Sequence, residues 1–226
     1  MKSTPPPQKT IQTQVKNTGL VEKRRRQIVD AAVQLFVRKG YHLTTTREIA
    51  QEAGFSIGTL YEYIESKEDV LYLVCEAIHR AMEVQLRPAI DQGSSGRQAL
   101  ISALAKYLGV CDRMQDDILL IYQESSSLTP DSLKYVLANE ERVTTIFEDI
   151  LRRGARDGSL QAGEEKAIRL MAHNITVLGH MWTFRRWFLA RHYTLDEFTR
   201  LQTSLILSEL SARSDAACRT ESANSR

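Results

Sequence analysis

The chain has 226 residues, 42% hydrophobic and 26% charged, the make-up of an ordinary globular protein with room for one or two cored domains. No apolar run approaches the roughly 20 residues of a membrane span, the basic, proline-bearing start lacks the apolar stretch of a secretory signal, and three scattered cysteines (Cys75, Cys111, Cys218) form neither a disulfide scaffold nor a zinc ribbon. The net charge of +2 conceals a gradient: residues 1–47 carry ten lysines and arginines against two acids, Glu22 and Asp30, while acids outnumber bases in the remainder. A basic end on a mildly acidic body suits a polyanionic partner, or else a solubilising tail.

Residues 1–20 hold Pro5, Pro6 and Pro7 among polar side chains and are expected to form a disordered tail, because they bury too little apolar surface to offset ordering. A first helix is expected from about Val21 to Lys39, with Ile28, Ala31, Ala32, Leu35 and Phe36 on one face and Gly40 as its stop. A second follows from Thr45 to Ala53, opened by a capping box of Thr45 with Glu48. Gly54 breaks it, Ser56 caps a short third helix to about Tyr63, and Ser66 with Asp69 opens a fourth running to about Leu86, where Pro88 should kink or end it. Beyond the Gly93–Gly96 loop come amphipathic stretches at about 97–113, 116–126, 131–156, 164–191 and 195–212, and residues 214–226 are again expected to be a disordered tail. About nine helices and no hairpin signal make the chain all-α, with an N-terminal three-helix unit over 21–68 and a second domain over 69–213.

Segment 45–63 meets the steric demands of a helix-turn-helix. Ala50 is small enough for two helices to cross closely, and Gly54 tolerates the positive φ of the turn. Ile49, Ala53, Phe55, Leu60 and Tyr63 would face the first helix, leaving Thr46, Arg47, Ser56, Gly58, Thr59 and Tyr61 outward for phosphates and base edges. By spacing alone, a helical corner inside a bundle fits as well.

The run Thr45–Glu68 (TTREIAQEAGFSIGTLYEYIESKE) closely resembles the DNA-binding domain of the TetR family of regulators, and Ile28–Phe36 with Gly40-Tyr41 resembles that family's first helix. The resemblance covers about 50 residues. It implies a third helix in the major groove and DNA contacts from Thr45, Thr46, Ser56, Gly58, Thr59, Tyr61, Tyr63 and Lys67, the last as a phosphate anchor. Arg47 suits guanine O6 and N7 together. Glu62 departs from the polar or basic residue often found there, and Ile64 replaces the usual phenylalanine. Lys23, Arg24, Arg25 and Arg26 are expected to follow the DNA backbone or enter the minor groove.

The resemblance further implies a homodimer on a palindromic operator, held through the last two helices, whose apolar stripes run through Ile168, Met171, Ile175, Leu178 and Trp182 and through Phe198, Leu201, Leu205 and Leu210. It implies an effector cavity, for which Leu104, Tyr107, Leu108, Leu120, Tyr122, Phe147 and Leu151 are candidate lining residues. The run Gly179–Leu189 resembles a subgroup with acyl-coenzyme A-responsive members: Arg185 and Arg186 would meet phosphates and Trp182 or Trp187 a purine, although Trp and Arg equally suit an interface, and Asn174, beside His173, is a further candidate ligand contact. A chemically unrelated hydrophobic effector is the alternative. His173 and His180, seven residues apart on one helix, with Glu124 would suit zinc or another divalent ion, or else serve as polar pocket residues. No cofactor is otherwise required. Three rivals stand beside a ligand-released repressor: a metal-dependent enzyme built on those three residues, a non-specific architectural DNA binder, and an activator. A non-enzymatic, cytoplasmic protein without membrane association is the expectation.

Overall fold

The computed structural model describes residues 11–91 and 93–211, which form ten α-helices and one 3-10 turn with no strand among them. The helices gather into two compact units. The first comprises the chain up to Arg80 together with Met114–Glu140; the second comprises Ala81–Arg113 and the chain from Glu141 on.

In the first unit α1 (Thr18–Lys39) begins three residues before the expected Val21, because the Asn17 side chain accepts the Leu20 N–H at 3.0 Å and caps the helix. The expected disordered tail over 1–20 is corrected from Ile11 onward: Ile11 is buried and residues 11–17 lie against the helical head. Residues 1–10 and 212–226 lie outside the described part. Short helices α2 (Thr46–Glu52) and α3 (Ile57–Tyr61) follow, and Ile28, Ala32, Ile49, Ala50, Leu60 and Ile64 are all at most 1% exposed in the core. Fully burying a side chain the size of Ile49 or Leu60 stabilises by about 1.5–3 kcal/mol.

Helix α4 (Lys67–Asp91) divides between the units at Arg80–Ala81 and runs past the expected end near Leu86, with Pro88 inside it. The carbonyl that Pro88 leaves without a donor is that of Val84. Val84 is 62% exposed, so water can satisfy it at little cost. Helix α6 (Gln115–Glu124) packs against α1 and ends in a 3-10 turn, Ser125–Ser127; α7 (Pro130–Asp157) then passes from the first unit into the second.

In the second unit α5 (Gly96–Arg113) packs against both α8 (Glu165–Phe184) and α10 (Leu195–Glu209). The single helix expected over 164–191 is broken at Arg185, and a short α9 (Arg186–Leu189) follows. The break lies between two ties to one residue. Trp182 donates its indole N–H to Asp112 Oδ1 at 2.9 Å, and the Arg186 guanidinium pairs with the same oxygen.

Candidate nucleic-acid interface

The helix-turn-helix is built by local hydrogen bonding. Thr45 and Glu48 form a reciprocal capping box: the Thr45 side chain accepts the Glu48 N–H, and Glu48 Oε2 accepts the Thr45 N–H at 2.9 Å. Gly54, at φ 75°, turns the chain between α2 and α3 while the Phe55 N–H closes on Ala50 O at 2.8 Å. Ser56 caps α3 by accepting the Thr59 N–H at 3.0 Å. The apolar side of α2 and α3 is anchored by Ile49, Ala50 and Leu60, so the opposite side is presented outward.

That outward side brings together most of the residues expected to read DNA. Arg47, Ser56, Gly58 and Tyr61 are exposed and Thr46 and Thr59 half-buried; Thr46 Oγ1 lies 3.1 Å from Tyr61 Oη, and Ser56 Oγ 3.0 Å from Thr59 Oγ1. A β-carbon at Gly58 would meet only Ser56 Oγ, at 3.7 Å, so this glycine leaves a gap in the outward wall. Lys23 and Arg26 are exposed on α1, and Arg24 reaches Gln27 at 3.1 Å and stacks over the Phe55 ring.

Four of the expected contacts are engaged within the head. Arg25 donates Nε to Tyr63 O at 3.1 Å and Nη2 to Ile11 O at 2.8 Å, which turns its guanidinium inward. Tyr63 is itself only 4% exposed, its ring beside Phe55. The Thr45 hydroxyl lies 2.7 Å from Glu48 Oε2 within the capping box. Lys67, the expected phosphate anchor, donates Nζ to the carbonyls of Tyr41 at 2.9 Å, Thr44 at 3.0 Å and His42 at 3.4 Å, above the Tyr41 ring. Burial lowers its pKa, and the three N–H groups of its ammonium are matched by three carbonyls. Glu62 keeps its side chain exposed and uses its carbonyl, accepting from Thr13 Oγ1 at 2.8 Å and Gln14 N at 3.4 Å.

Two features of this unit escape sequence reading. Glu68 Oε1 accepts the Thr129 N–H at 3.0 Å and the Ser132 hydroxyl at 2.9 Å, tying the first turn of α4 to the start of α7. His42 Nε2 lies 3.4 Å from Glu124 Oε2. Both join residues more than 60 positions apart, and no periodicity marks such partners. Ile11 and Val15, apolar residues in a polar segment, were the available sign that the segment before α1 docks.

Of the residues expected to meet an effector, Leu104, Tyr107, Leu108, Phe147, Leu151 and Trp182 lie in the second unit, each at most 2% exposed. They are closely packed: the Tyr107 and Phe147 rings are 5.4 Å apart, and Tyr107 donates to Thr176 O at 2.8 Å. Leu120 and Tyr122 belong to the first unit, Leu120 buried and Tyr122 exposed. Asn174 is exposed on α8, and Arg185 stacks over Trp187. Arg186 is paired with Asp112, whose carboxyl stays below the usual range: burial pushes it up, but the bonds from Trp182 and Arg186 outweigh that. Beside this cluster is an open recess of about 430 Å³, lined by Trp182, Arg186, Arg191, His192, Tyr193 and neighbours. The metal set is not assembled. Glu124 belongs to the first unit and faces His42, His173 is exposed while His180 is buried in the second, and among the described residues no three metal-ligating side chains gather.

Comparison with known proteins covers both parts of the chain. Residues 28–72 match the family described as bacterial regulatory proteins, tetR family, and residues 93–208 match the tetracyclin repressor-like C-terminal domain. The HTH-type transcriptional regulator HbdR of Aromatoleum sp. (strain CIB) is 29% identical over 189 residues, 84% of this chain and 81% of that one. Among solved structures, a regulatory protein of the tetR family from Rhodococcus RHA1 superposes with a TM-score of 0.72 at 25% identity, over 83% of this chain and 97% of the other. AibR, solved with isovaleryl coenzyme A and operator DNA, superposes with a TM-score of 0.67 at 17% identity, over 81% and 98%; that likeness shows the fold.

Proposed function

The chain belongs to the tetR family of bacterial regulatory proteins, a helix-turn-helix transcriptional regulator, and from that premise we propose that it is a repressor which holds a palindromic operator as a homodimer until an acyl-coenzyme A thioester releases it. The observation that carries this reading is the pairing of the two family matches, a DNA-reading head and an effector-type C-terminal domain in one chain. Thr46, Arg47, Ser56, Gly58, Thr59 and Tyr61 form the reading face, Arg47 meeting guanine and the hydroxyls meeting phosphates and other base edges. Lys23 and Arg26 add sequence-independent attraction to the backbone, so neutralising both should weaken binding to every duplex and flatten its salt dependence by about one unit per lost contact.

One head reads half a palindrome, so two must stand about 34–36 Å apart, one DNA turn. The exposed Leu170 and Val177 of α8 and Leu201 and Leu205 of α10 support pairing of two copies through these helices. For the effector, AibR and its isovaleryl coenzyme A supply the precedent of chemistry, and the recess offers the guanidinium of Arg191 for phosphates and the exposed ring of Tyr193 for a purine. Ligand there would act through α4 and α7, the two helices shared by both units. It shifts the equilibrium only if it binds the DNA-incompetent state more tightly. Among the described residues no helix is long and apolar enough to cross a membrane, in keeping with action on DNA in the cytoplasm.

The test is fluorescence anisotropy on a duplex that the protein itself selects from a randomised pool, titrated with acyl-coenzyme A thioesters of increasing chain length. Release by at least one thioester and none by free coenzyme A is the expected outcome. Unchanged affinity at saturating thioester would rule out this effector class, and failure to select any duplex would rule out sequence-specific binding.

A further inference from the structure

The recognition helix α3 has only five residues, Ile57–Tyr61, and a helix that short is not stable alone. Its N-terminus is capped by its own Ser56. Its C-terminal end is secured from elsewhere, by residues 38 to 49 positions away in sequence. The Glu62 carbonyl accepts the Thr13 hydroxyl at 2.8 Å and the Gln14 N–H at 3.4 Å, and the Tyr63 carbonyl accepts Arg25 Nε at 3.1 Å. Arg25 also donates Nη2 to Ile11 O at 2.8 Å, so one half-buried guanidinium on α1 ties the segment before that helix to the end of α3. Ile11 is 6% exposed and fixes the segment by its side chain, while Asn17 caps α1 where the segment enters it.

We propose that residues 11–17 form a strap belonging to the DNA-reading head, and that Arg25 is a positioning residue that sets the recognition helix through this strap, touching no phosphate itself. The inference rests on the reading of this head as sequence-specific. A helix terminus whose Tyr63 carbonyl takes a charge-assisted bond from Arg25, and whose Glu62 carbonyl takes bonds from Thr13 and Gln14, is held in one orientation, whereas a frayed one samples many, and bidentate base contacts tolerate little misplacement. The strap therefore carries specificity without making a base contact. It also gives an arginine in a basic run a role distinct from that of its exposed neighbours Lys23 and Arg26.

The two roles for Arg25 separate in a salt titration. Binding of Arg25→Gln is measured against a duplex selected by the wild-type protein and against a random-sequence duplex, from low to moderate salt. A positioning residue predicts a loss of roughly ten- to hundredfold on the selected duplex, in line with losing a charged hydrogen bond, with random-duplex affinity and the salt slope unchanged. Deleting residues 1–16, which leaves the Asn17 cap in place, should reproduce most of that loss, and combining the two changes should add little. Amides 59–64 should exchange faster with deuterium in both variants. If Arg25→Gln weakens both duplexes alike and lowers the salt slope by about one, Arg25 is a phosphate contact and the proposal fails. It fails equally if the deletion leaves selected-duplex affinity intact. Should Arg25→Gln not fold, Thr13→Val and the deletion decide alone. Wild-type protein that selects no duplex would instead remove the underlying reading of the head.

Discussion

Glu48 sits at the third position of α2, where it meets the Lys39 ammonium, the Thr45 hydroxyl and the Thr45 N–H. The hydrogen bond from Lys39, then those from Thr45, hold its carboxyl at about 2 against an ordinary 4.5. A depressed carboxylate adds stability that is complete above its unfolded pKa and fades as pH falls through the folded one, so this contribution is present at pH 6 and disappears between about 4.5 and 2. Wild type should therefore exceed Glu48→Gln in urea resistance at pH 6 and converge with it near pH 2; a Glu48 carboxyl titrating near 4.5 by NMR would contradict this. In the second unit Gly179 decides how closely α8 approaches α5: a β-carbon there would fall 2.3 Å from Tyr107 Cε1 and 2.7 Å from Cys111 Sγ. Gly179→Ala should cost about 1–3 kcal/mol of unfolding free energy through overpacking, and equal stability in denaturant would mean the helices part freely.

The first turn of α4 joins three pieces of the first unit with three consecutive side chains. Lys67 holds the carbonyls between α1 and α2, Glu68 holds the start of α7, and Asp69 accepts the Glu65 and Ser66 N–H groups, both at 2.9 Å, to cap its own helix. Lys67→Met should lower stability by about 1–3 kcal/mol, the range for hydrogen bonds to a charged group. It should also leave the salt slope of DNA binding unchanged; a slope reduced by one would restore the phosphate role. The capping box at Thr45 and the Ser66–Asp69 start were legible in sequence because each is a pattern of fixed short spacing. The partners of Lys67, Glu68 and Arg25 were not, because a side chain's target across 14 to 64 positions leaves no local trace. The break at Arg185 was missed for the same reason, since its apolar period continues through a turn set by Asp112 on another helix.

At the scale of the whole molecule, large apolar side chains remain exposed on the two helices that the family resemblance assigns to dimerisation. Leu170 is 62% exposed and Leu205 65%, and Val177 and Leu201 are also exposed, at 47% and 40%. Exposed leucines in such numbers on adjoining elements mark an interaction surface. Leu201→Glu with Leu205→Glu should leave folding intact, since neither side chain is in the core, while producing a monomer by light scattering and abolishing high-affinity operator binding. A double variant that stays dimeric would place the interface elsewhere.

The helix-turn-helix was determined by sequence alone: apolar period, capping residues and Gly54 act within a few positions, and each element they predict is present. Family membership followed from the same residues. Only the tertiary structure decided which polar residues of that head are free to meet DNA. Arg25, Lys67 and Tyr63 were all expected to touch DNA, yet two are drawn inward by carbonyls and one is packed beside Phe55. The physical reason is that a backbone carbonyl without a helical partner must find a donor, and which donor reaches it is settled by packing.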